Sequence, residues 1–198
     1  MKGNIVFYNE LYDQPVVFAT VPGTDIQVNL FEYPTEKDWY QVKKRAMITV
    51  NKQKFKMPDI DWKKKILNCR HSPIRRLFFS FCFENLPSYI SVHFVRSHVG
   101  CEKYVGTQRN DRQDKYDRRK APQDSPVGMI FDFNADALLD FFNKRLCNKA
   151  APETRAVVQV MAELVKKACP EFTDFIQPMC KYHGGVCHEF KPCGEMVD

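Results

Sequence analysis

Between residues 95 and 112 the chain reads VRSHVGCEKYVGTQRNDR, a run of arginines with a lysine and a histidine set around two glycines. A doubly charged phosphate is best met by a guanidinium fork beside hydroxyl and amide donors. Thr107, Gln108 and Arg109, next to Gly106, offer all three with close backbone approach. From Gln113 onward the acids and bases alternate, and the run reads as a solvated surface that neutralises itself. A second chemical cluster closes the chain: CKYHGGVCHEFKPCG, residues 180 to 194, places three cysteines and two histidines in a segment punctuated by glycine and proline. Cys180, Cys187 and Cys193 are expected to bind one ion, with Cys147 preferred over His183 as the fourth ligand because it would tie the tail to the helix carrying Arg145. Zinc is the first expectation and an iron-sulfur cluster the second, since four thiolates suit either.

The elements that must position these groups are legible only in part. The 198 residues, 44% hydrophobic and 13% aromatic, suffice for one core, and the expectation is a single domain over 1–198 with 178–198 as a Cys-rich tail. The net charge of +6 is moderate and points to local anionic ligands, not to a protein that coats nucleic acid. With no apolar run long enough to span a bilayer and no signal-peptide core after Met1, the chain reads as cytoplasmic with no membrane partner. In that compartment Cys69, Cys82, Cys101 and Cys169 are expected to be free, mostly buried thiols.

Residues 4–8, 16–20 and 26–31 are short β-rich runs between turn signals. In LFFSFCFE, residues 77–84, Leu77, Phe79, Phe81 and Phe83 alternate with the rest, which is the period of a core strand. Periodicity does not decide between helix and strand for YISVHFVRSHV, nor does it organise the lysine-rich stretch from Asp38 to Ile66. Behind Asn134, the spacing of Leu138, Phe141, Phe142 and Leu146 predicts an amphipathic helix, and a second helix runs from Pro152 to Cys169.

Four blocks stand in a telling order: HSP at 71–73, the strand LFFSFCF, the segment opening at Arg96, and NADALLDFFNKRLCNKAAPETR at 134–155. Together, over about residues 70–178, they resemble the flavin-dependent thymidylate synthases, whose signature is R-H-R-x-x-S-x-N-x-x-S-x-R. Here Arg96-Ser97-His98 stands for R-H-R, one extra residue intervenes, Thr107-Gln108-Arg109 replaces S-x-R, and Arg75-Arg76 occupies the place of the usual Glu-His. The resemblance implies an α+β fold with a central antiparallel sheet and helices, a homotetramer, and transfer of a one-carbon unit to C5 of a pyrimidine deoxynucleoside monophosphate (dUMP to dTMP or a close variant). It also implies FAD, with a reduced nicotinamide and methylenetetrahydrofolate as cosubstrates. Carried over residue by residue, His93, Arg96, Thr107, Gln108, Arg109 and Arg145 would hold the nucleotide, and His71, Arg96, His98 and Asn134 would face the flavin. The resemblance implies no protein nucleophile, since a flavin carries the hydride chemistry. The competing reading is a nucleotide- or nucleic-acid-binding protein on the same scaffold that has lost flavin chemistry.

Overall fold

Residues 14–106 and 117–193 are described by a computed structural model, the side chain of Arg118 excepted. The run at 4–8 and the cradle Thr107, Gln108 and Arg109 therefore lie outside the described residues. Five strands, β1 (Val17–Thr20), β2 (Gln27–Glu32), β3 (Phe78–Pro87), β4 (Cys101–Val105) and β5 (Pro126–Asn134), form one sheet in the order β1-β2-β3-β5-β4. Every pairing is antiparallel. The helices are α1 (Glu36–Ile48), α2 (Ile60–Asn68), α3 (Ser88–Val95), α4 (Ala135–Arg145), α5 (Pro152–Ala168) and the short α6 (Met179–Tyr182). The α+β class and the antiparallel sheet stand as expected.

Alternation in β3 sets the core. Phe79, Phe81 and Phe83 all point to one face and are fully buried, while Phe78, the first residue of the strand, is 47% exposed. Their partners across the sheet, Val28, Leu30, Met129, Phe131 and Phe133, are buried on the same face. There α5 crosses β1 and β2, α4 lies on β5, and α3 packs on β3 and β5. Phe94 of α3 and Phe141 of α4 meet edge-on at 5.4 Å, and Phe141 meets Phe131 edge-on at 5.5 Å, so aromatic rings join both helices to the sheet.

The ambiguous run after Pro87 is helical. Proline ends β3 without a donor to lose, and Ile90 and Phe94, four residues apart, drop side by side into the core. The lysine-rich stretch also resolves, into α1 and α2. The first buries Trp39 and Val42, and the indole of Trp39 donates a 2.6 Å hydrogen bond to buried Glu171. Asp59 caps α2 by accepting from Trp62 N. The basic segment beyond Gly100 contributes the edge strand β4, which the sequence reading did not assign. No helix among the described residues is long and apolar enough to cross a membrane.

Candidate active site

Helix α4 begins where β5 ends, and its first turn forms one wall of a cavity of about 560 Å³. Asn134 makes that junction sharp: its Oδ1 accepts from Ala137 N at 2.9 Å, the expected N-cap bond. From there the helix presents two ridges at four-residue spacing, Asp136, Asp140 and Lys144 beside Ala137, Phe141 and Arg145, and all six line the cavity. The opposite wall is the turn from α3 into β4: Arg96, Ser97, His98, Val99, Gly100 and Cys101. Gly100 has φ +72°, and a Cβ there would fall 2.3 Å from Asn134 Nδ2, so only glycine lets this turn close on the helix cap. Arg75, from the short 3₁₀ turn Ser72–Arg76, completes the lining.

The charges are sorted within this space. Arg75 Nε lies 3.1 Å from Asp136 Oδ2, and Arg70 donates to Asp136 Oδ1 at 3.1 Å and lies 3.5 Å from Asp140. Both acids on the α4 ridge are thereby answered by arginine. Arg96 and Arg145 pair with no carboxylate among the described residues. The Arg145 guanidinium is held below its ordinary value, first by burial and then by repulsion from Arg96. It stays protonated at any working pH all the same. Two cations facing one cavity, close enough to oppose each other, ask for an anion between them.

Arg145 is also aimed. Its Nη2 donates 2.7 Å to the backbone oxygen of His93, at the end of α3. The His93 ring turns the other way, with Nδ1 2.7 Å from Oγ1 of fully buried Thr154 on α5. His93 thus contacts Arg145 through its carbonyl, and its ring is not part of the cavity lining. Cys101 does line the cavity. Burial raises its thiol above the ordinary range, an effect that Lys103, 3.8 Å away, only partly offsets. A thiol kept protonated is a poor nucleophile.

Of the sequence-derived residues, Arg96, His98, Asn134 and Arg145 converge on this cavity. His71 is exposed at the start of the 3₁₀ turn and is not part of the lining. Sequence reasoning missed Arg75, Asp136, Asp140 and Lys144. The last three stand four residues apart within the helix it predicted, a spacing that could have marked them as one face. It also missed Arg70, whose guanidinium bonds Asp136, Asp140 and buried Asn143 at once.

The metal site expected at Cys147, Cys180, Cys187 and Cys193 is not assembled. All four are free thiols, and among the described residues no three Cys, His, Asp or Glu side chains are grouped to hold an ion. Other contacts fasten this end of the chain: Asn143 Nδ2 donates to Gln177 O at 2.7 Å and Arg70 lies over the Tyr182 ring, while within the tail His183 packs edge-on against His188 with ring centres 4.9 Å apart.

Residues 116–171, from just before β5 into the 3₁₀ turn after α5, match the family model described as thymidylate synthase complementing protein. Over 62 residues the chain is 36% identical to the flavin-dependent thymidylate synthases of Sulfurisphaera tokodaii and Saccharolobus solfataricus, covering 31% of this chain and 24% of each relative. The match thus spans about a quarter of the length of those curated relatives. Among solved structures, the fold is similar to the flavin-dependent thymidylate synthase ThyX of Helicobacter pylori complexed with FAD and dUMP. That likeness has a TM-score of 0.60 at 14% identity and covers 75% of this chain and 97% of the other. A second structure of ThyX from Helicobacter pylori with FAD and dUMP gives a TM-score of 0.56 at the same identity, covering 75% and 96%. At that identity the likeness speaks for the fold.

Proposed function

We propose, on the premise that this chain belongs to the flavin-dependent thymidylate synthase family, that its cavity binds a pyrimidine deoxynucleoside monophosphate and that the protein transfers a one-carbon unit to C5 of the base. The observation that carries the reading is the convergence of Arg96 and Arg145 on one cavity without a carboxylate partner among the described residues. A volume of about 560 Å³ suits a mononucleotide better than a large dinucleotide. Arg145 would hold the pyrimidine with Arg96 facing the same cavity, and the phosphate ligands proposed from the sequence remain Thr107, Gln108 and Arg109.

The donor set also fits a flavin in part. Guanidinium, imidazole and amide groups of Arg96, His98 and Asn134 suit its anionic and carbonyl edges, whereas His71 stands apart. Bound flavin would supply the hydride chemistry. FAD is larger than the cavity, so its remainder would extend beyond these walls, in keeping with a homotetramer whose sites lie at subunit contacts. A reduced nicotinamide and methylenetetrahydrofolate would serve as cosubstrates.

The chain's own residues would bind and polarise. Arg145, fixed by the His93 carbonyl, would hold the nucleotide in one register. Arg96 and His98 would donate to the oxygen on which charge grows as C5 becomes nucleophilic. Burial raises the Cys101 thiol and so disfavours it as a nucleophile on these walls.

Purification, visible spectroscopy and titration with dUMP test the reading. A yellow protein that binds dUMP, and binds it about 10- to 100-fold more weakly as Arg145→Ala, is expected, from the loss of a charge-assisted bond worth about 1.5 to 3 kcal/mol. A colourless protein that takes up no FAD would remove the enzyme reading, and unchanged affinity in the variant would remove Arg145 from the nucleotide site.

A further inference from the structure

The positive charge of this protein is concentrated far along the chain from Arg96 and Arg145. Residues 39–58 hold six lysines and arginines and not one carboxylate, which equals the net charge of +6 of the whole chain, so the rest is balanced. In the fold this stretch is one surface. Lys37, Tyr40, Lys44 and Ile48 form an exposed stripe along α1. A turn at Asn51, with φ 55°, then reverses the backbone, and Lys52 N donates back to Met47 O. The returning segment lays Phe55 against Tyr40, ring centres 5.3 Å apart, and carries exposed Lys52, Lys54 and Lys56 at alternate positions. Among the described residues none of the six cations lies within ion-pair distance of a carboxylate, though Lys43 feels the attraction of Asp59. Arg45 turns to Gln41, and Lys43 lies 3.9 Å over the Trp62 ring. Aliphatic side chains stand out among them: Ile48 is 62% exposed, Val50 55% and Met57 51%. The nearby acids are largely engaged, Asp38 with Thr35, Asp59 as the cap of α2 and Glu36 with Lys63, while Asp61 is exposed.

We propose that this surface adsorbs to an anionic phospholipid bilayer, with Ile48, Val50 and Met57 entering the headgroup boundary and the lysines on the lipid charge. Lysine, five of the six cations, is a compact charge on a long apolar stem that can follow an apolar side chain into an interface while keeping its head in water. Protein interfaces deplete lysine, and a second copy of the same surface would be repelled. Single-stranded nucleic acid wants free aromatic faces, but Tyr40 and Phe55 face each other and Trp62 lies under Lys43. Exposed aliphatic groups beside uncompensated lysines are the combination that lipid rewards. The expectation of no membrane partner rested on the lack of a spanning run, which surface adsorption does not need.

Co-sedimentation of the full chain with phosphatidylcholine vesicles, with and without about 30% phosphatidylserine, tests the idea. Binding is expected only to the anionic vesicles, fading as salt rises. The variant Lys44→Gln/Lys52→Gln/Lys54→Gln/Lys56→Gln should bind at least about tenfold more weakly. The variant Ile48→Ser/Val50→Ser/Met57→Ser should also bind more weakly, at unchanged net charge. All seven side chains are exposed, and equal melting temperatures would show that the fold is kept; if the lysine variant fails to fold, the serine variant and the salt series still decide. Equal binding to both vesicles, no binding to either, variants as good as the parent, or tighter binding to a single-stranded oligonucleotide would each overturn the proposal.

Discussion

Arg145 shows how one side chain takes its role from its surroundings. At the end of an exposed helix it would be a solvated cation, but here the His93 carbonyl directs it and Arg96 opposes it. Arg145→Lys keeps the charge and loses the fork, so its dUMP affinity is expected to fall between those of the parent and Arg145→Ala, by calorimetric titration. Asp132 makes a different residue-scale case on the other face of the sheet. Its Oδ1 is buried without a hydrogen-bond partner, and its carboxyl is raised above the ordinary value near 3.8, first by burial, with Ser80 opposing and Glu102 adding to the rise. Between the ordinary and the raised value the folded state binds more protons than the unfolded one. Stability therefore falls as pH rises through that window, and the penalty is complete above it. Asp132→Asn should melt higher than the parent at neutral pH, with the gap closing as pH falls toward 3.8; a constant gap across the pH series would refute the cause.

At the scale of elements, the cavity depends on how the turn after α3 meets the start of α4. Gly100 N-terminal to β4 and Asn134 at the end of β5 are hydrogen-bonded through Asn134 N and Gly100 O at 2.9 Å, and no side chain fits between them. Gly100→Ala would add both the strain of a positive φ and a clash with the cap. It is expected to lower the melting temperature and weaken dUMP binding together, whereas the same change at Gly23, where a Cβ meets nothing within 4 Å, should cost only the backbone strain. The predicted helix after Asn134 was legible because its apolar stripe repeats at three and four residues and its cap is an asparagine. The helix of residues 88–95 was not, because Tyr89, Ile90, Val92 and Val95 are as suited to a strand, and only burial of Ile90 and Phe94 against the sheet decides.

For the whole molecule, Arg70 is the joint between layers. From its left-handed position after α2, at φ 50°, it bonds two acids of α4 and Asn143, while Asn143 holds the tail through Gln177 O. Arg70→Ala would leave Asn143 Oδ1 and the Asp136 carboxylate short of their partner in a partly buried setting. A loss of stability of about 2 to 4 kcal/mol and faster proteolysis within residues 177–193 are expected, read by denaturant unfolding and limited digestion.

The pattern of side chains was enough to determine the mixture of strand and helix, the core strand and two of the helices, because local period and cap chemistry are written in neighbouring residues. Resemblance also picked out Arg96, His98, Asn134 and Arg145, which the fold brings to one cavity. Tertiary structure alone decided that Arg75, Asp136, Asp140 and Lys144 share that cavity, and that the lysines of residues 39–58 gather on one face. Those outcomes depend on contacts between segments tens of residues apart, and no local period encodes the distance between them.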